Sequence, residues 1–200
     1  MNESSVRSGA KSCKGGHPMV LFPHPPEESS MKNKKIKNIR AIRKIIAELK
    51  GKRKKIVFTN GCFDILHVGH IRYLRKARSL GDILVVGLNT DRSVGRIKGD
   101  KRPIVPQEER AEVLASLEFV DYVVLFDEPD PFALIERIKP NVLVKGADWA
   151  KEKIIGRDLV EKAGGRVARI PLVPGASSTG IIGKILKVYG GEKGGRPKGP

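Results

Sequence analysis

The 200-residue sequence predicts an α/β domain of the Rossmann-like, doubly wound kind, a mainly parallel sheet with helices on both faces. Three observations carry that expectation. Short aliphatic runs alternate along the chain with amphipathic stretches of helical period. Gly51, Gly81, Pro106 and Pro131 fall where the period changes. The composition, 40% apolar and 30% charged, suits one well-buried domain and leaves too little chain for two large ones.

The elements follow in order. Ile36, Ile39, Ile42, Ile45, Ile46 and Leu49 recur at helical spacing with Lys and Arg between them, predicting an amphipathic helix over 36–50 that Gly51 ends. Ile56–Thr59 reads as a short buried strand, and a helix runs from about His67 to Leu80. Ile83–Leu88 is a strand, Gln107–Leu117 a helix after Pro106, and Tyr122–Phe126 a strand. Pro131–Ile138 is a helix with Pro at its start, where a missing N–H costs nothing. Asn141–Lys145, Arg157–Ala163, Val167–Pro171 and Ser178–Val188 complete the alternation as strand, helix, strand and helix. Residues 1–30 mix Ser, Gly, Pro and Glu without a period and read as a disordered leader; 190–200 read as a flexible tail; the domain is 31–189.

The net charge of +17 is unevenly spread. Residues 31–55 hold twelve basic side chains against one acidic, while 56–189 hold 21 against 17. The body is thus mildly basic, which suits phosphorylated ligands without demanding nucleic acid. A basic segment engaging RNA or anionic lipid is the competing reading, and the isoleucine stripe argues against it by packing that helix onto the domain. No apolar run approaches the ~20 residues of a membrane span. Two cysteines, Cys13 and Cys62, build neither a disulfide framework nor a four-cysteine zinc site, so a cytoplasmic protein with reduced thiols is expected.

The strongest chemical signal is the run from Thr59 through Asn60, Gly61, Cys62, Phe63, Asp64, Ile65, Leu66, His67, Val68 and Gly69 to His70. It leaves a strand, crosses a glycine-containing loop and enters a helix, aiming backbone N–H groups and a positive helix end at one spot. His67 and His70, three apart, share a helix face there, and Gly69 removes a side chain that would hold a ligand away. Ser177, Ser178 and Thr179 follow Pro174-Gly175 and open the last helix, where one of them caps it. Lys98, Lys101 and Arg102 read as a basic loop beside Gly99 and Pro103. Lys145 and Asp148 flank Gly146 just after a strand, at the edge where ligands sit in such folds, and a structural salt bridge is the competing account of both.

The His67-Val68-Gly69-His70 string resembles the HxGH signature of the nucleotidyltransferase superfamily. The resemblance runs from about Ile36 to Tyr189, through Arg96-Ile97-Lys98-Gly99, Glu109-Arg110, Val144-Lys145-Gly146-Ala147-Asp148-Trp149 and Ser177-Ser178-Thr179. In that combination it is most similar to the heptose 1-phosphate adenylyltransferase domain of bifunctional heptose kinase/adenylyltransferases, in a stand-alone form. The resemblance implies transfer of AMP from ATP to a heptose 1-phosphate. It implies catalytic roles for His67, His70 and Lys98. It implies nucleotide contacts at Asn60, Gly61, Cys62, Phe63, Gly69, Gly146, Ser177, Ser178 and Thr179. Asp64, Lys145 and Asp148 fall on the acceptor side, and Arg110 holds either the active-site loop or the sugar phosphate. Mg²⁺ is expected to arrive with ATP, held mainly by phosphates and water rather than by protein ligands. A homodimer is a further expectation of the resemblance.

Glycerol-phosphate cytidylyltransferases carry an arginine shortly before the Ser/Thr segment, where this chain has Leu172 or Val173, and Gly180 stands where a basic residue often follows. This favours adenylyl over cytidylyl transfer and leaves more of the phosphate charge to Lys98.

Overall fold

The computed structural model describes residues 33–190. The expected leader and the tail beyond Gly190 lie outside these residues. Five strands form one wholly parallel sheet: β1 (Ile56–Gly61), β2 (Ile83–Asn89), β3 (Tyr122–Phe126), β4 (Val142–Gly146) and β5 (Arg166–Ile170), in the order β3-β2-β1-β4-β5. The chain winds outward one way through β2 and β3, then crosses back to continue through β4 and β5. The carboxyl ends of β1 and β4 therefore border the crevice where the winding reverses.

Among the described residues seven α-helices connect and flank the strands: α1 (Ile39–Gly51), α2 (Val68–Arg78), α3 (Asp91–Lys98), α4 (Gln107–Ser116), α5 (Phe132–Ile138), α6 (Arg157–Lys162) and α7 (Ser178–Tyr189). Strand side chains alternate between two apolar layers, as a pleat requires. Val57, Leu84, Val86, Leu88, Val123 and Val144 meet Leu74 and Ala77 of α2 and Ala111 and Leu114 of α4. Ile56, Phe58, Val85, Val124 and Leu143 meet Ile42 and Ile46 of α1, Leu134, Ile135 and Ile138 of α5, and Val160 of α6. The isoleucine stripe does seat α1 on the sheet, so its basic residues occupy the outer face. Among the described residues no helix is long and apolar enough to cross a membrane.

Two α-helical segments depart from the sequence expectation by more than two residues, each for a local reason. Helix α1 begins at Ile39 rather than Ile36, because the Asn38 side chain caps it by accepting from Ala41 N at 2.8 Å. Ile36 instead lies beside Val123, with Lys37 N donating to Val123 O and Val123 N to Lys35 O. Residues 91–98 form α3, an element the sequence does not predict, and it takes in Lys98, expected in a loop. Thr90 caps it through Ser93 N, Asp91 stands in its first turn, Arg96 and Lys98 stand in its last, and Gly99 ends it at φ +89°. Lys98 therefore stands on a helix end, with the loop beginning after it.

Candidate active site

A cavity of about 540 Å³ opens over the carboxyl ends of the strands. Its floor is the loop from Asn60 to His67. Phe63 in that loop sits at φ +44°, a conformation unusual for a bulky residue, and turns the chain from β1 toward α2. His67 occupies the N-cap position of α2 but makes no side-chain capping bond, so the free N–H groups of the first turn remain for a ligand. The start of α7 reaches the same cavity. Ser177 caps it, accepting from Gly180 N at 3.0 Å, and the Ser178 hydroxyl donates to Ile65 O at 3.0 Å, pinning that helix start against the β1–α2 loop. Two positive helix ends thus share one space.

His67 and His70 stack, with ring centroids 3.8 Å apart and 25° between planes, and Phe63 meets His70 edge-on at 5.2 Å. Both Nδ1 atoms are sealed from solvent and lack a protein partner. Burial holds His67 below the ordinary histidine value and, with the neighbouring His67 adding, pushes His70 down to about 4. At neutral pH the pair offers hydrogen bonds without charge. Gly69 makes the stack possible, since a Cβ there would lie 2.9 Å from the His67 ring and 3.2 Å from Ala176 Cβ. The space it leaves admits the His67 ring, and Gly69 itself lines the cavity.

Asp64 lines the cavity with its carboxylate already partnered, and Arg110 lies behind the lining. The Asp64 carboxylate is 1% exposed and pairs with Arg102, while its other oxygen accepts from Ile104 N at 2.8 Å and Val105 N at 2.9 Å. Burial raises its proton affinity, but the Val105, Arg102 and Ile104 donors outweigh that and hold the carboxyl below its ordinary value. The Arg110 side chain is wholly buried. It donates to Val105 O at 2.9 Å, Cys62 O at 2.6 Å and Asn89 O at 2.9 Å, and pairs with Asp91. Of the two roles open to Arg110, the geometry supports holding the loop; Asp64, while lining the cavity, also anchors 102–105.

Lys145, Gly146, Asp148 and Trp149 form the opposite wall. A Cβ on Gly146 would strike Asp148 Oδ1 at 2.2 Å, so this position must lack a side chain for the carboxylate to fold back. No Lys145–Asp148 salt bridge forms; Lys145 Nζ donates instead to Asn60 Oδ1 at 2.5 Å. Burial lowers the Lys145 value to about 8, against the raising influence of Asp148 and Cys62. Cys62 lines the cavity with its thiol pushed up by burial, as a loop residue rather than an activated nucleophile.

Two participants escaped the sequence reading. Tyr73, whose hydroxyl lies 2.7 Å from Thr59 Oγ1, lines the cavity one turn after His70, and the three-residue spacing of His67, His70 and Tyr73 was the available signal. Arg102 was seen only as part of a charge run, because its partner Asp64 lies 38 residues away.

Two helix starts and a histidine pair converge on one cavity over the switch point of a parallel sheet, an arrangement suited to an anion. Residues 58–182 match the cytidylyltransferase-like family model, and the chain belongs to that family. It is 56% identical to the bifunctional protein HldE of Geobacter sulfurreducens over 158 residues, 79% of this chain and 32% of that protein. The HldE of Geobacter metallireducens is 57% identical over 158 residues, with the same shares. The chain thus spans about a third of the length of these curated relatives. Among solved structures, the lipopolysaccharide core biosynthesis protein from Thermoplasma volcanium matches at 32% identity and a TM-score of 0.49, covering 60% of this chain and 97% of that one.

Proposed function

We propose that the protein transfers AMP from ATP to a heptose 1-phosphate, giving ADP-heptose and pyrophosphate. An oxygen of the sugar phosphate attacks the α-phosphorus, the bond from that phosphorus to the bridging oxygen breaks, and pyrophosphate leaves with the electron pair. The attacking oxygen is already ionised, so neither a nucleophilic side chain nor a general base is needed. Catalysis then rests on in-line positioning and on meeting negative charge.

The observation that carries this reading is the convergence of the α2 and α7 N-termini with the neutral His67–His70 pair on one cavity. His67 and His70 donate to phosphate oxygens where charge develops. Lys98, exposed at the end of α3, supplies a cation to the nucleotide phosphates. Asn60, Gly61, Cys62, Phe63, Gly69 and Gly146, with Ser177, Ser178 and Thr179, shape the nucleotide side, and Lys145 and Asp148 face the acceptor. Mg²⁺, bound to the phosphates of ATP, would neutralise part of their charge. The cavity suits a metal held that way, because among the described residues no three His, Cys, Asp or Glu side chains gather as a ligand set, and Asp64 is spent on Arg102 and two backbone donors.

The similarity to the HldE proteins, rather than the family match itself, supports ATP over CTP. The test is pyrophosphate release screened over ATP, CTP and a panel of sugar 1-phosphates and polyol phosphates. Turnover with ATP and heptose 1-phosphate alone is the expected result, and preference for CTP with glycerol 3-phosphate would replace it with cytidylyl transfer. A homodimer is part of the proposal, and Leu186, Val188 and Tyr189, exposed on α7, give a second copy apolar surface to cover.

A further inference from the structure

Lys145 is a cation placed where cations are costly. Its side chain is largely buried, yet among the described residues no carboxylate lies within ion-pair distance of it. Its recorded hydrogen bond goes to the neutral amide oxygen of Asn60. A buried ammonium held by one neutral acceptor keeps its desolvation cost largely uncompensated. Such an arrangement is complete only when an anion arrives.

The position of the amine says which anion. Asn60 lies in β1 and Lys145 in β4, adjacent strands, so the Lys145–Asn60 bond straddles the crevice where the winding of the sheet reverses. Among the cavity's basic side chains, Arg102 is consumed by Asp64 and the two histidines are neutral at pH 7. Lys98 and Lys145 remain, and they reach the cavity from opposite sides of β1, one after β2 and the other from β4. In-line transfer between two phosphates has the same polarity. The leaving pyrophosphate departs on one side of the α-phosphorus and the entering phosphate approaches on the other. Two anions that repel each other therefore need one cation each.

Resting on the transfer proposed above, we infer that Lys145 anchors the phosphate of the entering sugar 1-phosphate, while the nucleotide's phosphates are met by Lys98 and the helix ends. The exposed Trp149 ring, 5.8 Å from Lys145 Nζ, gives the sugar a flat apolar face on the same wall. The groups facing the amine are Asn60 and Cys62 from the β1 side and Asp148 and Trp149 from the turn after β4. Of these, Asp148 and Cys62 in its ionised form would favour the protonated amine.

The experiment is steady-state kinetics on Lys145→Met and Lys145→Arg, varying ATP and heptose 1-phosphate separately from pH 6.5 to 9.5. Lys145→Met should raise the acceptor KM about thirty-fold, the scale of a lost charge-assisted hydrogen bond, and leave the ATP KM within about twofold. Lys145→Arg should restore part of the acceptor affinity. In the wild type the acceptor KM should climb above pH 8, where the amine loses its proton, and that limb should vanish in Lys145→Met. An equal rise in the ATP KM, or a fall in kcat with both KM values unchanged, would overturn the assignment. If the wild type releases no pyrophosphate from ATP, the transfer reading fails, and calorimetric titration of heptose 1-phosphate into wild type and Lys145→Met decides separately. Binding lost only in the variant sustains the anchor; equal binding, or none to either, removes it.

Discussion

Asp64 and Arg102 form an ion pair 38 residues apart in which the carboxylate is 1% exposed and the guanidinium 16%. The pair ties the segment after α3 to the loop that opens the site, and Arg110 ties the same two segments from beneath. Together they cross-link the floor of the cavity to its rim at Arg102.

Asp64→Asn should uncouple them. It removes the charge from a buried pair and leaves Arg102 without a counter-ion, a change that costs about 3 kcal/mol in comparable settings. The urea midpoint at pH 7 should fall accordingly. Because the folded carboxyl titrates below its unfolded value, the wild-type advantage is present above the ordinary aspartate range and disappears as pH falls through the lower folded value. A midpoint for Asp64→Asn equal to wild type at pH 7 would show that the pair does not hold the rim.

Arg110→Lys should be nearly as damaging as Arg110→Met. Four bonds fan out from one planar guanidinium to Val105, Cys62, Asn89 and Asp91, and an ammonium on a flexible stem cannot reproduce that fork. Each variant leaves buried carbonyls without donors, at about 1–3 kcal/mol apiece. Thermal unfolding of the two variants side by side checks this, and a wild-type transition in Arg110→Lys would contradict it.

His67→Ala and His70→Ala should each lower kcat by about a hundredfold, the scale of one lost oxyanion-type donor. Far-ultraviolet dichroism should remain that of the wild type, because neither ring holds a protein hydrogen bond and the core layers lie beneath them. Near-normal pyrophosphate release in both variants would mean the phosphates sit elsewhere.

The depressed His70 value also sets a pH dependence of stability. Between pH 6.5 and about 4 the unfolded chain binds a proton at this position that the folded chain does not, so stability falls as pH falls through that window. His70→Gln cannot take up that proton when it unfolds. The loss of urea midpoint from pH 7 to pH 4.5 should be smaller in His70→Gln than in the wild type, and identical losses would place the acid sensitivity on other groups.

Lys98→Ala should lose most of its rate at saturating ATP with little change in KM, while Lys101→Ala loses much less. A contact that strengthens only as charge develops on the pyrophosphate appears in kcat. Equal small losses in both variants would return Lys98 to ordinary solvated surface.

Local information was enough for most of the architecture. The alternation of buried strands with amphipathic helices, a hydroxyl cap at the start of α7 and the glycine loop before His67-Val68-Gly69-His70 all act within a few residues, and their physics is visible along the chain; the Asn38 cap is as local, but the isoleucine stripe drew the expected start back to Ile36. Helix α3 was missed although its cap and charge signals were present, because eight residues carrying Ser93 and Gly95 are held by burying Val94 rather than by helical propensity. Tertiary structure alone decided how each charged site residue is used. In sequence Arg102 is one member of a charge run, while Asp64, Arg110 and Lys145 all read as substrate contacts. Folding gives the first three partners among themselves, with Asp91 and with backbone groups, and leaves Lys145 with a neutral amide. A charge costs most where water is excluded, so which charges are compensated depends on contacts between distant segments, and no local pattern encodes them.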